Sequence, residues 1–293
     1  MQLTERGPAK VNLSLHVVGR RADGFHLLES LVAFADPGSA AADGLSLEPG
    51  AGYSLAVEGE RGGDLGDPAD NLVTRAVQRF ALAFPGCRTG AFRLTKALPV
   101  ASGIGGGSAD AGAALRLMAR LNGIGLDHPL LVDAAASLGG DVPVCLFSKA
   151  RLISGIGHNL GPVLDTIGLP AVLANPGVPL ATADVFRESG LKPGARRDER
   201  RHPPLPAFRD AAAMAAFLRE CRNDLEPAAF RLAPVVAAAR DTLARISGCL
   251  FARMSGSGGT VFGLFANADA ARAAALELRS AHPGWWVQPT LLG

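Results

Sequence analysis

A glycine-rich segment in the first half of the chain constrains the fold more than any other feature. It consists of Pro99, Val100, Ala101, Ser102, Gly103, Ile104, Gly105, Gly106, Gly107, Ser108 and Ala109. Four glycines within five positions let the backbone approach an anion and turn several N–H groups toward it. A strand is predicted before the segment, over 91–98, and a helix after it, with Ser108 as its N-cap. Because the start of a helix attracts negative charge, we predict a phosphate-binding loop.

This segment differs from two well-known phosphate loops. A Walker A loop has lysine and then serine or threonine after its last glycine, whereas Gly107 is followed by Ser108 and Ala109. A dinucleotide fingerprint that begins at Gly103 requires glycine where Ser108 stands. A simple turn between strand and helix is the structural alternative, although four glycines carry an entropy cost that a turn could avoid.

The rest of the chain shows strand and helix patterns in irregular succession. Helical spacing of apolar residues predicts helices over 72–80, 113–121, 130–138, 211–222, 235–245 and 270–280. Strands are predicted over 11–18, 53–57, 142–147, 171–174, 250–254, 260–265 and 285–289. The pattern restarts after about residue 160, so we predict an α+β protein with an N-terminal domain, 1–160, and a C-terminal domain, 161–293.

Composition and charge argue against several classes of partner. The chain has 29 basic and 27 acidic residues, so bulk charge gives no reason to expect nucleic acid or a membrane surface. The cysteines and histidines show no metal-ligand spacing, which argues against a zinc site or a disulfide framework. An apolar run of ~18 residues and a secretory signal are both missing. We expect a cytoplasmic protein, a monomer or weak homodimer, that acts on a small molecule.

Three segments in order resemble the motifs of the GHMP kinases, the family of galactokinase, homoserine kinase and mevalonate kinase. They are Pro8 to Leu13, the glycine-rich segment, and a second glycine loop from Met254 to Phe262. The resemblance implies an N-terminal domain like ribosomal protein S5, a ferredoxin-like C-terminal domain and ATP as phosphoryl donor. It also implies that residues 99–109 bind ATP and that Gly256, Ser257 and Gly258 close over the nucleotide.

Two more segments make the resemblance narrower: Gly19 to His26 and Gly139 to Pro143. They resemble a branch of the family that phosphorylates a hydroxyl of a cytidine-diphosphate-linked sugar alcohol. The resemblance implies that Asp141 is the catalytic base and Lys10 the cation beside it. The substrate-binding residues that it implies are Asn12, Phe25, His26, Thr182 and Phe186. The family usually has tyrosine where this chain has Phe25, a change that keeps stacking and removes the phenol hydrogen bond.

These residues predict direct phosphoryl transfer, which requires positioning and charge neutralisation more than covalent chemistry. We expect Mg²⁺ to arrive on the ATP phosphates, since this ion keeps several waters and takes few protein ligands. The sequence leaves two alternatives. One is a GHMP kinase for another small alcohol, mevalonate-like or homoserine-like, and the other is a non-catalytic nucleotide-binding module.

Overall fold

The computed structural model describes residues 1–59, 70–164, 168–197 and 201–293. The chain divides into two units. Unit 1 comprises Met1–Lys10, Ala42–Val100 and Gly105–Ser148, and unit 2 comprises Val11–Ala41, Ala101–Ile104 and Lys149–Gly293. Each unit combines sheet and helix, which confirms the predicted α+β class.

Unit 1 is built on a four-stranded sheet covered by helices. Its strand order is β1 (Leu3–Pro8), β5 (Ala42–Gly50), β7 (Thr89–Thr95), β6 (Ser54–Glu58). Only β6 and β7 run parallel among these neighbours. The helices are α1 (Leu72–Ala83), α2 (Gly106–Asn122), α3 (Pro129–Ala136) and α4 (Val142–Phe147). Alternate residues of β5 and β7 face the helices, so Leu47 and Phe92 share one core with Phe80 and Leu117.

Unit 2 contains an antiparallel sheet with helices packed against it. The strand order is β11 (Cys249–Met254), β12 (Val261–Phe265), β10 (Leu169–Asn175), β13 (Trp286–Leu292). The helices are α5 (Thr182–Glu188), α6 (Ala211–Glu220), α7 (Glu226–Leu232), α8 (Pro234–Arg245) and α9 (Ala268–Ala281). Val172, Leu243 and Leu278 belong to its core. None of the helices in the described ranges has both the length and the apolar character needed to cross a membrane.

A further sheet carries two of the predicted substrate-binding residues, Asn12 and His26. Its order is β2 (Lys10–Asn12), β4 (His26–Phe34), β8 (Arg151–Gly155), β9 (Asn159–Val163), and β3 (His16–Arg20) pairs with β4. The predicted strand over 11–18 is therefore two strands. The strand is interrupted because its backbone changes hydrogen-bond partner. The N–H of Leu13 donates to the carbonyl of Leu31, whereas the N–H of Leu15 donates to the carbonyl of Arg222.

Two predictions close to the candidate site were wrong. Residues 142–147 form helix α4 and not a strand; a short apolar run is ambiguous, and Pro143 in the first turn suits a helix start. Ser108 is not the N-cap of α2. The cap is Gly105, in left-handed conformation at φ 64°, because Gly106 and Gly107 already take helical geometry.

Candidate active site

Lys10 and Asp141, the two predicted catalytic residues, form an ion pair within unit 1. The Nζ atom of Lys10 lies 2.7 Å from Oδ2 of Asp141. The lysine side chain is 5% exposed and the aspartate side chain 39%, so the carboxylate reaches solvent while the ammonium is buried. Asp141 occupies the N-cap of α4, but its side chain makes no capping hydrogen bond. The pair thus presents an accessible carboxylate beside a fixed cation, an arrangement suited to a general base.

Gly105 fixes the position of Lys10. A Cβ atom added at Gly105 would lie 3.4 Å from both Cβ and Cε of Lys10, so the lysine stem lies directly against this glycine. The positive φ of Gly105 also favours glycine. The end of the glycine-rich segment that belongs to unit 1 therefore packs against the predicted catalytic lysine.

The start of α2 presents several unpartnered backbone N–H groups. Within the described ranges, no acceptor pairs with the N–H groups of Gly105, Gly106, Gly107 and Ser108. The first paired donor is the N–H of Ala109, which bonds to the carbonyl of Gly105 at 2.8 Å. Four free donors at the positive end of a 17-residue helix suit an anion such as phosphate.

Residues 101–104 of the same segment contact the second glycine loop, within unit 2. The N–H of Thr260 donates to the carbonyl of Ser102 at 2.9 Å, and Oγ of Ser255 donates to the carbonyl of Gly103 at 2.9 Å. A Cβ atom at Gly103 would lie 2.6 Å from the carbonyl oxygens of Ser255 and Gly258. Only glycine fits there. Two loops that were predicted separately are thus packed backbone against backbone.

Asn12 and Thr182 both contact the second glycine loop. The backbone N–H of Asn12 donates to Oγ of Ser255 at 3.1 Å, and Oγ1 of Thr182 lies 2.8 Å from Oγ of Ser257. The amide nitrogen of Asn12 donates to Oγ of Ser30 at 2.7 Å. Its Oδ1 atom is buried, without a hydrogen-bond partner in the described part of the chain. A buried acceptor with no partner is costly, so Asn12 suits a ligand group that donates.

His26 and Phe186 lie together in unit 2. Their rings stack with centroids 4.4 Å apart and planes inclined by 28°. Burial, and then the charge of Arg20, lower the pKa of His26 from its ordinary value. Its Nε2 atom is buried and finds no partner among the described residues. Phe25, the preceding residue, is 58% exposed, so this ring is available for stacking.

A buried ion network beside α2 was not predicted from the sequence. Lys96 donates from Nζ to Oδ2 of Asp43 and, at 2.7 Å, to Oδ2 of Asp110. All three side chains are almost fully buried. Nothing in their spacing indicates that the three residues meet.

His16, His202 and Cys221 come together in unit 2, although they show no metal-ligand spacing in the sequence. Ligand atoms of His16, His202 and Cys221 all lie within 4.8 Å of one another. However, Nε2 of His16 accepts the backbone N–H of Arg222 at 3.0 Å, and Nε2 of His202 lies 2.7 Å from Oγ of Ser14. A nitrogen that accepts a hydrogen bond has no lone pair left for a metal. We therefore assign this cluster a structural role.

Comparison with known proteins identifies the family. The model of the GHMP kinases N terminal domain matches residues 71–149, and that of GHMP kinases C terminal matches residues 204–284. The 4-diphosphocytidyl-2-C-methyl-D-erythritol kinase of Methylorubrum extorquens is 53% identical over 291 residues, which cover 99% of each chain. A crystal structure of 4-(cytidine 5'-diphospho)-2C-methyl-D-erythritol kinase matches with a TM-score of 0.73 at 33% identity, over 99% of both chains. Homoserine kinase from Cytophaga hutchinsonii shares the fold, with a TM-score of 0.67 at 18% identity, over 99% of this chain and 95% of that one. The chain therefore belongs to the GHMP kinase family, in the branch of the 4-diphosphocytidyl-2-C-methyl-D-erythritol kinases.

Proposed function

We propose that this protein transfers the terminal phosphoryl group of ATP to the 2-hydroxyl of 4-diphosphocytidyl-2-C-methyl-D-erythritol, in the non-mevalonate route to isoprenoid precursors. The observation that carries the proposal is 53% identity over 99% of the chain to a relative of that name. The homoserine kinase likeness, at 18% identity, supports the fold alone. The paired Lys10 and Asp141 argue for catalysis and against a module that only binds nucleotide.

Asp141 acts as the general base in this proposal. Its exposed carboxylate accepts the proton of the 2-hydroxyl as the oxygen attacks the terminal phosphorus of ATP. The O–P bond to the substrate forms while the bond between that phosphorus and the bridging oxygen breaks, and ADP leaves. Lys10 stays 2.7 Å from the carboxylate and offsets the negative charge that gathers during transfer.

The first glycine-rich segment holds the ATP phosphates. The free N–H groups of residues 105–108 support this assignment, since they supply donors without a side chain in the way. Magnesium enters as part of the MgATP substrate. Asp141 is already paired with Lys10, and Asp43 and Asp110 share Lys96, so we assign the binding of the ion to the phosphates.

Cytosine is bound in unit 2. His26 offers a buried, unpartnered ring nitrogen, which suits the polar edge of the base, and Phe25 and Phe186 offer aromatic faces. Asn12 offers a buried acceptor, and Thr182 is held by the second glycine loop. These assignments rest on the free polar atoms and ring faces described above.

Three further properties are part of the proposal. We place the domain boundary near residue 160, and the two family matches fall on either side of it. We place the protein in the cytoplasm, where ATP is supplied and where its four unpaired cysteines stay reduced. We expect a monomer or a weak homodimer that binds neither nucleic acid nor membrane.

A coupled assay of ADP release tests the function. The purified protein is given ATP, Mg²⁺ and one acceptor at a time: the cytidine conjugate, its uridine analogue, mevalonate or homoserine. We expect one ADP per acceptor with the cytidine conjugate, and a product whose ³¹P spectrum shows one added phosphomonoester beside an intact diphosphate. Faster turnover of mevalonate or homoserine would establish the alternative kinase, and absence of ADP release with every acceptor would establish a binding module.

A further inference from the structure

Asp110 is the unusual member of the buried ion network in unit 1. Asp43 accepts three hydrogen bonds, one from Lys96 and two from the backbone N–H groups of Ala97 and Leu98 at 2.6 and 2.9 Å. Asp110 accepts only the bond from Lys96, at 2.7 Å, and its Oδ1 atom has no partner in the described ranges. Of the two carboxyl groups, Asp110 is therefore the one that is poorly compensated as an anion.

The charges of the network do not balance when every group is ionised. One lysine against two carboxylates leaves a net charge of −1 in a buried place. Protonation of Asp110 makes the network neutral. Burial, opposed by the charge of Lys96, raises the pKa of Asp110 to about 8. The pKa of Lys96 is itself raised, since the charges of Asp110 and Asp43 outweigh its burial, so the lysine stays charged.

Few other groups face Asp110. The neighbour on β1 is Gly7, where an added Cβ atom would lie 3.0 Å from Oδ1 of Asp110. The neighbour on α4 is Cys145. Burial raises the pKa of the Cys145 thiol to about 12, so it stays neutral when Asp110 titrates. Lys96 and Asp43 are thus the described charges that determine the ionisation of Asp110.

The network lies directly under the start of α2. A Cβ atom added at Gly106, the first residue of this helix, would lie 3.5 Å from Nζ of Lys96. The N–H groups of Gly106 and its neighbours are the free donors described above. A charge in the network therefore acts at short range on any anion bound by those donors.

We propose that Asp110 is a positioning residue for the nucleotide: protonated, it leaves the network under α2 neutral, and when ionised it places a net negative charge there that weakens binding of the phosphates. It acts through Lys96 and touches no reacting atom. The proposal rests on the proposed function only in taking an adenine nucleotide as the anion at this helix.

Binding of ADP with Mg²⁺ between pH 7 and pH 9.5, measured by calorimetry without acceptor, tests the proposal. The terminal phosphate of ADP loses its second proton near pH ~6, so its charge is nearly constant between pH 7 and pH 9.5. We expect wild-type affinity to fall about tenfold, as expected for one unit charge at short range in a partly screened site. Asp110→Asn, which is neutral at every pH and similar in shape, should bind ADP with a nearly constant affinity. Asp133→Asn, an exposed change on α3, is the matched control and should follow the wild type.

Equal pH dependence in the wild type and Asp110→Asn would overturn the proposal, as would a flat wild-type profile. A second measurement uses the wild type alone. If ionised Asp110 weakens ADP binding, bound ADP must raise the pKa of Asp110 by linkage, which ¹³C NMR of the aspartate carboxyls reports. An unchanged pKa would contradict the proposal even if Asp110→Asn does not fold. Failure of ADP to bind at any pH would instead contradict the proposed function.

Discussion

Phe186 of α5 stacks directly on His26, the first residue of β4, with ring centroids 4.4 Å apart. At this separation no planar base fits between the two rings. A cytosine must stack on an outer face or open the pair. The same contact aligns the His26 ring, whose buried Nε2 atom has no partner in the described chain, and we propose that the two residues recognise the base together.

We expect Phe186→Ala to weaken binding of the cytidine substrate by roughly 1 to 3 kcal/mol, the usual scale for a base on an aromatic ring. Affinity for ADP should not change. Equilibrium titration with each ligand measures both. Phe208→Ala is the control, since Phe208 packs on Phe217 in the same unit. Equal loss of substrate affinity in the two variants would remove Phe186 from the base site.

Acid should weaken substrate binding through His26. The pKa of His26 in the folded protein lies below its ordinary 6.5, chiefly because of burial, so the ring is neutral at pH 7 and gains a proton only below that lowered value. Protonation gives both nitrogens a hydrogen and removes the acceptor. We expect substrate affinity to be constant from pH 7 to 8 and to fall toward pH 5, while His26→Gln shows no such fall. His26→Ala should also narrow the preference for cytidine over uridine. A profile shared by wild type and His26→Gln would exclude this role.

Asp141→Asn should lower turnover at least ~100-fold, as expected when a general base is lost. The amide oxygen still accepts a hydrogen bond from Lys10, so the midpoint of thermal unfolding and the affinity for ADP should stay near wild type. Single-turnover experiments at saturating ATP measure the chemical step. Asp133→Asn again serves as control. Near-normal turnover of the Asp141 variant would mean that another group, or the substrate itself, removes the proton.

Prediction from the sequence was most accurate where the local backbone conformation requires one type of residue. Glycines at 103, 105, 256 and 258 all have positive φ, and a run of such residues can be recognised without a structure. Prediction failed where the local structure depends on contacts with residues that are distant in the sequence. Residues 142–147 are apolar enough for a strand or a helix, and only packing within the core of unit 1 selects the helix. The meeting of Lys96 with Asp43 and Asp110 likewise depends on three separate elements.

Substitution of three glycines with similar backbone geometry separates strain from packing. Gly103, Gly105 and Gly123 have φ of 74°, 64° and 67°, so alanine costs about 1 to 2 kcal/mol of strain at each. Gly123, the C-cap of α2, has no atom within 4 Å of an added Cβ, and its variant measures strain alone. At Gly103 the added Cβ lies 2.6 Å from two carbonyl oxygens of the second glycine loop.

We therefore expect Gly103→Ala to lower the midpoint of thermal unfolding more than Gly123→Ala, and to weaken ADP binding, because the two glycine loops must move apart. Gly105→Ala should behave differently. Its added Cβ meets only the flexible stem of Lys10, at 3.4 Å, so stability should fall about as much as in Gly123→Ala while turnover falls further. Thermal unfolding, ADP titration and single-turnover rates of the three variants provide the comparison. If all three lose equal stability and keep wild-type ADP affinity and turnover, neither the contact between the loops nor the support of Lys10 matters for function.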